Sequence, residues 1–391
     1  MRSLRCKICF LSRGAVCDPP TLINKPKKTK LKILTDIGHA KNAYILKAIV
    51  PQLMAMGHEF HFVYRDKEHT KKLCQAFGFE GLDRGKGGNG LLGKFIYLIK
   101  TDFQFLKLAR KIKPDLLLSF ASPYLANLAM LSKIPMIVFD DTEQNRLVQR
   151  IYSSCSDAIV VPACFGKTLN RRQLRFDGYY ELAYLAPRYF QPDPAVLKEL
   201  GLTAGEKFVL LRFVSWHAVH DMSHRGLNAE EKQDLVASFS GLARVFISAE
   251  GELPEKLEPL RLKSPPELIH QVMAHSALVF SEGATMASEA AVLGVPSVYC
   301  SDLRPGYIDD LEKRYGLLSA FPHNCFKEAL AKGMEILEDR GEYRKGLTQK
   351  RDAMLAQSVD VAAFMTWFID RFPESVETML ADSQYAEKFR L

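Results

Sequence analysis

Residues 281–296 have the pattern of an anion-binding turn. Their sequence is SEGATMASEAAVLGVP, in which Gly283 lets the backbone approach a ligand closely. The residues that follow are small and compatible with a helix, so the N–H groups of Ala284 and Thr285 would be open donors at a helix N-terminus, where a diphosphate fits. Glu289 comes about one helical turn after Thr285 and could accept hydrogen bonds from ribose hydroxyls. The alternative is an ordinary strand–helix turn with a solvated glutamate.

Two other predicted strand ends in the same half of the chain carry polar groups. The run LRFVSWHAVHDMSH would present Arg212, Ser215 and His217 to a phosphate or a sugar. Its three histidines also suggest zinc, but no acid–histidine helix motif accompanies them, so we expect no metal. Glu250 and Gly251 follow the next strand, where a plain turn is an equal alternative.

The first half of the chain has its own polar loops. TDIGHAKN places Gly38, His39 and Asn42 between a strand and a helix. Asn42 is a plausible N-cap. His39 could act as a general base, because the ordinary pKa of histidine lies near neutrality, or it could be structural.

An acidic loop, FDDTEQN, follows the fourth predicted strand and contains Asp141 and Glu143. It is either a catalytic or acceptor-binding loop, or a helix N-terminus whose acids interact favourably with the helix dipole. Ser122, in SFASPYLAN, is a further candidate on this side.

These loops must be held by strands and helices that alternate along the chain. Short apolar runs predict strands at Leu31–Asp36, Glu59–Tyr64, Asp115–Phe120, Pro135–Phe139, Ala158–Val161, Lys207–Phe213, Arg244–Ser248, Ala277–Phe280 and Ser297–Cys300. Helical periodicity predicts Asn42–Met56, Asp66–Phe77, Leu91–Ile112 and Asp360–Phe372, with a flexible glycine-rich loop over Gly81–Gly93. This alternation is typical of doubly wound, mostly parallel sheets.

The pattern predicts four parts. They are a basic, disordered leader over 1–30, a Rossmann-like lobe over 31–187, a second lobe over 195–358, and C-terminal helices over 359–391 that pack back on the first lobe. The linker is placed at the proline cluster after residue 186. Ligands of such sheets bind outside the carboxyl ends of the strands, so we expect the site in the cleft between the lobes.

The charge distribution argues against a nucleic-acid partner. Nine Lys and Arg residues but one Asp lie in residues 1–32, which accounts for the whole net charge of +8. The remaining 44 basic and 44 acidic residues balance (53 minus 9, and 45 minus 1), unlike a nucleic-acid-binding body. Scattered cysteines and the lack of a long apolar run predict a cytoplasmic protein. The basic leader is the segment from which we expect any peripheral membrane contact.

Several segments together resemble a known family. They are TDIGHAKN, SFASPYLAN, FDDTEQN, DGYYELAYLAPRYFQPDP, LRFVSWHAVHD, ISAEGELP and SEGATMASEAAVLGVPSVY. They resemble the prokaryotic domain of unknown function 354 (DUF354), which is grouped with GT-B glycosyltransferases and UDP-N-acetylglucosamine 2-epimerases. The resemblance implies a GT-B-like α/β fold with two Rossmann-like lobes facing a central cleft.

The resemblance also implies residue roles. SEGATMASEAAVLGVPSV is similar to the donor-site segment of the transferase that adds N-acetylglucosamine to the lipid-linked muramyl intermediate. There a glycine turn faces the diphosphate and an acid contacts the ribose, roles that would fall on Gly283 and Glu289. His217 and Glu143 occupy places like those of functional epimerase residues, but SFASPY has no carboxylate where epimerases use an aspartate.

We therefore expect a metal-independent GT-B glycosyltransferase for surface polysaccharide or glycoconjugate synthesis, with no obligatory cofactor. Its substrates would be a nucleotide diphosphate sugar, expected to be a UDP-sugar, and a sugar or lipid-linked acceptor. The alternatives are a UDP-N-acetylglucosamine 2-epimerase-type enzyme and a non-catalytic nucleotide-sugar binding protein. The expected donor-binding residues are Arg212, Ser215, Glu250, Gly251, Glu282, Gly283, Ala284, Thr285 and Glu289; the acceptor-binding residues are Gly38, Asn42, Ser122 and Asp141; the catalytic residues are His39, Glu143 and His217.

Overall fold

Two parallel β-sheets organise the chain. The computed structural model describes residues 30–67, 69–88, 90–203, 205–214, 226–249, 251–339 and 341–391. The strands of the first sheet are β1 (Lys32–Ile37), β2 (Glu59–Tyr64), β3 (Gly81–Asp83), β4 (Leu116–Ser119), β5 (Met136–Phe139), β6 (Ala158–Pro162) and β7 (Gln173–Phe176). Those of the second are β8 (Phe208–Phe213), β9 (Arg244–Ala249), β10 (Leu278–Ser281), β11 (Ser297–Cys300) and β12 (Ser319–Phe321).

The order of the strands locates a crevice in each sheet. The first sheet runs β3-β2-β1-β4-β5-β6-β7 and the second β12-β11-β10-β8-β9, with every described pairing parallel. The chain reverses its direction of winding between β1 and β4, and again between β8 and β10. Loops diverge at such switch points and leave room for a ligand at the carboxyl edge.

Helices connect the strands and cover the sheets. They are α1 (Ala40–Ala55), α2 (Thr70–Ala76), α3 (Gly90–Ile112), α4 (Pro123–Ser132), α5 (Arg146–Ser153), α6 (Leu182–Leu185), α7 (Ala195–Glu199), α8 (Ala229–Ser240), α9 (Ile269–His275), α10 (Ala284–Val292), α11 (Gly306–Lys313), α12 (Phe326–Glu338), α13 (Glu342–Gln357), α14 (Val361–Asp370) and α15 (Glu374–Ala381). Short 3-10 turns cover Glu255–Leu260, Pro266–Leu268, His323–Cys325 and Tyr385–Phe389. No helix among the described residues is long and apolar enough to cross a bilayer.

One buried core is shared by the two halves of the chain. One apolar cluster contains Ile33 of β1, Leu182 of α6, Ala287 of α10 and Phe364 of α14. Helix α14, near the C-terminus, also contacts α1 and α6. Helices from both halves of the chain therefore bury their apolar faces in the same cluster.

The predicted α/β architecture is observed, and the differences are local. The glycine-rich stretch Gly81–Gly93 was predicted to be a loop, but it begins with β3 and ends inside α3. The edge strands β7 and β12 were not predicted, because each has only three or four residues and is only partly buried. Helix α2 starts at Thr70, four residues later than predicted, and α1 starts at Ala40, two residues earlier.

A buried ion pair fixes the crevice of the first sheet. Asp36, in β1, accepts hydrogen bonds from Arg84 Nε at 2.9 Å and from Ser122 Oγ at 2.6 Å. Ser122 also caps α4 by accepting from Leu125 N at 3.4 Å. The carboxylate thus ties the end of β1 to the segments that follow β3 and β4, and both charged side chains are almost fully buried.

We expect Asp36→Ala to lower the free energy of unfolding by about 3–5 kcal/mol, because it leaves the Arg84 guanidinium buried without its counter-charge. Chemical denaturation of the full chain would measure this. The matched control is Glu342→Ala, which removes one side of the exposed Lys345–Glu342 pair and should change stability by less than about 1 kcal/mol. Equal effects of the two variants would contradict the role given to Asp36.

Candidate functional site

A pocket lies between the two sheets at their carboxyl edges. Its wall combines the start of α1, the ends of β8 and β9, the turns before α9, and the first turns of α10. The lining residues are His39, Ala40, Lys41, Tyr44, His69, Leu73, Arg212, Ile247, Ser248, Ala249, Arg261, Leu262, Ser264, Pro265, Pro266, Ile269, His270, Thr285, Met286 and Glu289. Of the sequence-predicted site residues, His39, Arg212, Thr285 and Glu289 are therefore brought together here.

The second sheet builds its part of the wall at its switch point. Glu282 N donates to Arg212 O at 3.0 Å, which joins the ends of β10 and β8. The Arg212 guanidinium reaches over the neighbouring strand end, where Nη1 donates to Ser248 Oγ at 3.1 Å. A positive charge is thereby held at the mouth of the crevice.

The predicted strand–helix turn is present, with Gly283 as the N-cap of α10. Because glycine has no side chain, no side-chain oxygen caps the first turn of this helix, and the N–H groups there point toward the helix end. A Cβ atom at Gly283 would lie 3.1 Å from Val214 Cγ2, so the turn also needs a small residue for packing. Ala284 is the first residue of the helix, and Thr285 lines the pocket.

Glu282, next to this turn, has a different position from the one expected. It is buried, and its carboxylate accepts from Val214 N at 3.1 Å and from Leu227 N at 2.5 Å. It is not on the wall of this pocket. The side chain anchors the segments on both sides of residues 215–225, so its observed contacts are with the protein itself.

Glu289 is buried at the pocket wall between two ring side chains. Its Oε1 accepts from the Tyr184 hydroxyl at 2.8 Å and lies 3.0 Å from Nε2 of His270. Burial raises the pKa of this carboxyl, but His270, Tyr184 and the charge of Lys41 outweigh burial, so the net pKa is lowered. Glu289 is thus held as a carboxylate.

Lys41 lies at the base of the cleft, where both halves of the chain contact it. Its Nζ donates to Asp141 Oδ2 and, at 2.8 Å, to Glu181 Oε1, which also accepts from Ser288 Oγ at 2.7 Å. Burial lowers the pKa of the ammonium, but the two carboxylates outweigh it and the net pKa is raised. Burial and the charge of Asp141 raise the pKa of Glu181, whose Oε2 is buried without a hydrogen bond.

His39, rather than the expected Asn42, is the N-cap of α1. Its Nδ1 accepts from Lys41 N at 3.3 Å. Since accepting requires the lone pair of Nδ1, the neutral ring in this arrangement carries its proton on Nε2. In that tautomer the other ring nitrogen is a hydrogen-bond donor, not a base.

The other first-lobe candidates are not on the wall of this pocket. The Glu143 carboxylate accepts from Gly166 N at 3.0 Å and from Gly306 N at 3.2 Å, which links the acidic loop to the first turn of α11. Asp141 pairs with Lys41, and Ser122 holds Asp36. Gly38 lies in the turn before α1, beside Arg84, and Asn42 is in the first turn of that helix.

Three expected residues, Ser215, His217 and Glu250, lie outside the described residues. Gly251 is described and exposed, and its carbonyl accepts from Arg261 Nη2 at 3.0 Å. Within the described ranges no group of three His, Cys, Asp or Glu side chains is arranged to hold a metal ion. The three histidines between residues 217 and 224 lie outside those ranges, so this statement does not cover them.

Sequence reasoning missed Lys41, Tyr184, Glu181 and His270. Two signals were present. A lysine in the first turn of a helix opposes the helix dipole, so Lys41 needed a specific reason. Likewise a glutamate within the apolar run YYELAYL required a partner in the core, as Glu181 has.

Comparisons with known proteins agree on family and fold. The family model described as "Protein of unknown function (DUF354)" matches residues 31–362, so the predicted family is confirmed. An uncharacterized protein of Methanocaldococcus jannaschii is 23% identical over 280 residues, which cover 69% of this chain and 82% of that protein.

Solved structures with a similar fold include two kinds of enzyme. The UDP-GlcNAc 2-epimerase of Neisseria meningitidis, bound to UDP-GlcNAc, has a TM-score of 0.59 at 12% identity and covers 89% of this chain and 100% of its own. The spinosyn rhamnosyltransferase in complex with spinosyn aglycone has a TM-score of 0.55 at 13% identity, and the match covers 87% of this chain and 100% of the transferase. The predicted GT-B-like α/β fold is thereby confirmed.

A pH dependence of stability follows from Asp140, at the start of the acidic loop. Burial raises its pKa from 3.8 to about 6, although Tyr152 OH donates to the carboxylate at 2.5 Å. The folded chain therefore keeps this proton to a higher pH than the unfolded chain does. The free energy of unfolding should fall by about 3 kcal/mol as the pH rises through this interval, other groups aside.

Asp140→Asn should remove that part of the pH dependence, because the amide does not titrate. Denaturation midpoints of both proteins between about pH 3 and about pH 7, an interval that brackets the two pKa values, would test it. Parallel curves for the variant and the parent protein would contradict the assignment.

Proposed function

This chain belongs to the DUF354 family, and we propose that it is a glycosyltransferase-like protein that binds a nucleotide diphosphate sugar, expected to be a UDP-sugar, in the cleft between its two sheets. The reaction would serve surface polysaccharide or glycoconjugate synthesis, with no obligatory metal or cofactor. The proposal rests mainly on one observation: a basic pocket wall, an uncapped helix start and a single buried carboxylate occur together at the switch point of the second sheet.

The charge of the wall suits a diphosphate. Among the described lining residues, Lys41, Arg212 and Arg261 are basic and Glu289 carries the one carboxylate, while Asp141 and Glu181 behind the wall pair with Lys41 and Glu258 pairs with Arg261. The N-terminus of α10 adds partial positive charge in the same place. Arg212 and these N–H groups would bind the diphosphate and stabilise the charge that develops on it when the sugar leaves.

The position of Glu289 suits a ribose. It lies about 6 Å further along the helix axis than Thr285, at 1.5 Å per residue. Its lowered pKa keeps it ionised, which makes it a strong acceptor for hydroxyl donors. Two of the similar structures also support nucleotide-sugar binding, since one holds UDP-GlcNAc and another UDP.

The transfer step is supported by fewer residues. Of the two first-lobe candidates for deprotonating an acceptor hydroxyl, only His39 lies on the pocket wall, and its cap bond favours the tautomer that donates. Its Nε2 would therefore donate to the diphosphate or to the sugar, and it would act as a base only after releasing Lys41 N. His217 stays a candidate, and Gly38, Asn42, Ser122 and Asp141 would shape the acceptor side.

Glu289→Ala should weaken binding of UDP by about 1–3 kcal/mol, the range for a hydrogen bond to a charged group. Isothermal titration calorimetry with UDP measures the change, and Glu289→Gln, which keeps an oxygen for Tyr184, checks that a loss is not caused by unfolding. Glu335→Ala is the matched control, because Glu335 is exposed in the same lobe and its carboxylate pairs with Lys332 at the surface. Unchanged affinity in Glu289→Ala would refute the ribose assignment.

Incubation with UDP-GlcNAc in the absence of an acceptor separates the proposed activities. A transferase should leave the sugar nucleotide intact until an acceptor is added, whereas a 2-epimerase would convert it to its C2 epimer. We expect no conversion, because SFASPY lacks the carboxylate and His39 favours the donor tautomer. Nuclear magnetic resonance of the anomeric protons detects the product, and appearance of the epimer would favour the epimerase alternative.

A further inference from the structure

The surface of α3 carries an exposed apolar stripe. Leu92, Phe95, Ile96, Ile99 and Phe103 have exposed fractions of 73%, 58%, 57%, 42% and 69%. Their spacing of three and four residues puts them on one face of the helix, over roughly 16 Å of its length. Single exposed apolar residues are ordinary, but a continuous stripe of large side chains marks an interaction surface.

The exposed stripe is separate from the face by which α3 packs on the first lobe. Thr101, Phe105 and Ala109 form the opposite side and are buried against the first lobe. Helix α4, which contacts α3, also has two large apolar side chains that are at least half exposed, Met130 and Leu131.

Positive charge surrounds this surface. Helix α3 contains the basic residues Lys94, Lys100, Lys107, Arg110 and Lys111. Asp102 is its one acid, and its Oδ2 accepts from Asn127 Nδ2 at 2.9 Å. Helices α4 and α5 contain no acid, and α5 adds Arg146 and Arg150. Helices α3, α4 and α5 together therefore have a net charge of +6 (seven basic side chains minus one acid).

We propose that the outer face of α3 docks on a membrane surface that contains anionic lipids. Large apolar side chains flanked by lysine and arginine are the composition of helices that lie in the lipid interface, with the apolar face among acyl chains and the bases at the headgroups. A second copy of this chain is a poorer occupant. A symmetric contact would bring two α3 helices together, each with a net charge of +4 (five basic residues and one acid).

The stripe occupies the half of α3 that lies nearest the cleft. The helix begins at Gly90, shortly after Arg84, which bonds Asp36 at the carboxyl end of β1. Docking would therefore bring the carboxyl edge of the first sheet close to the lipid surface. A lipid-linked acceptor could then enter the cleft from the membrane, a consequence that rests on the proposed function although the docking does not.

The test is sedimentation of the full chain with vesicles of phosphatidylcholine, with and without phosphatidylglycerol. The variant is Phe95→Gln, Ile99→Gln and Phe103→Gln combined, since glutamine keeps helix propensity and removes the apolar surface. We expect the variant to lose roughly tenfold or more of the partitioning onto anionic vesicles. The parent protein should bind pure phosphatidylcholine far less, and its binding should weaken as salt is added.

Two controls isolate the α3 surface. Met54→Gln with Leu380→Gln removes two equally exposed apolar residues elsewhere and should leave vesicle binding within about twofold. Lys25→Gln, Lys27→Gln and Lys28→Gln test the basic N-terminal segment; partitioning should still depend on α3 in that background. Calorimetric UDP binding of the α3 variant, expected to be unchanged, keeps failure here separate from failure of the nucleotide-sugar proposal.

Three results would overturn the proposal. They are vesicle binding by the α3 variant equal to that of the parent protein, no binding of the parent protein to anionic vesicles, and a dimer in light scattering that the α3 variant abolishes. The last result would make a second copy of the chain the occupant of this face.

Discussion

The ammonium group of Lys41 is shared by two carboxylates that come from distant parts of the chain. Asp141 follows β5 and Glu181 precedes α6, while Ser288 of α10 bonds the same Glu181 oxygen. One buried cation therefore connects the start of α1, the acidic loop, the connection between the lobes and, through Glu181, helix α10. Removing Lys41 would leave two carboxylates without their counter-charge in the low-dielectric interior, so the ammonium holds these segments in their relative positions.

The pocket depends on this arrangement. Lys41 and Glu289 both line it, and the charge of Lys41 contributes to keeping Glu289 ionised. Tyr184, which bonds Glu289, lies one helical turn after Glu181. The same short segment between the lobes thus supports the cation on one side and the carboxylate on the other, which fixes their separation across the wall.

Two switch points provide the space in which these groups act. In the first sheet the Asp36–Arg84 pair ties the strand ends together at the carboxyl edge, and in the second the Glu282–Arg212 backbone bond does so. Each relies on polar groups buried next to the crevice. The uncapped start of α10 is a source of partial positive charge. The cleft therefore combines basic groups with one carboxylate on its wall, that of Glu289.

The sequence by itself determined the class of fold and the location of the strand ends. Apolar runs of four to six residues between helical stretches leave few alternatives to parallel sheets, and the glycine before a small-residue helix predicted the α10 turn. Four predicted site residues meet in one pocket because strand-end loops of facing sheets converge at the same edge. Short edge strands escaped prediction, since three or four half-buried residues carry little periodic signal.

Only the tertiary structure decided which polar groups face the cleft and which hold the protein together. Glu143, Asp141, Ser122 and Glu282 look like ligand-binding residues in sequence, but each bonds a partner distant in the chain. Lys41 and His270 acquire their roles from carboxylates more than ten residues away. A residue type predicts the capacity to bind, and the choice between a ligand and the protein depends on which groups long-range packing brings within hydrogen-bond distance.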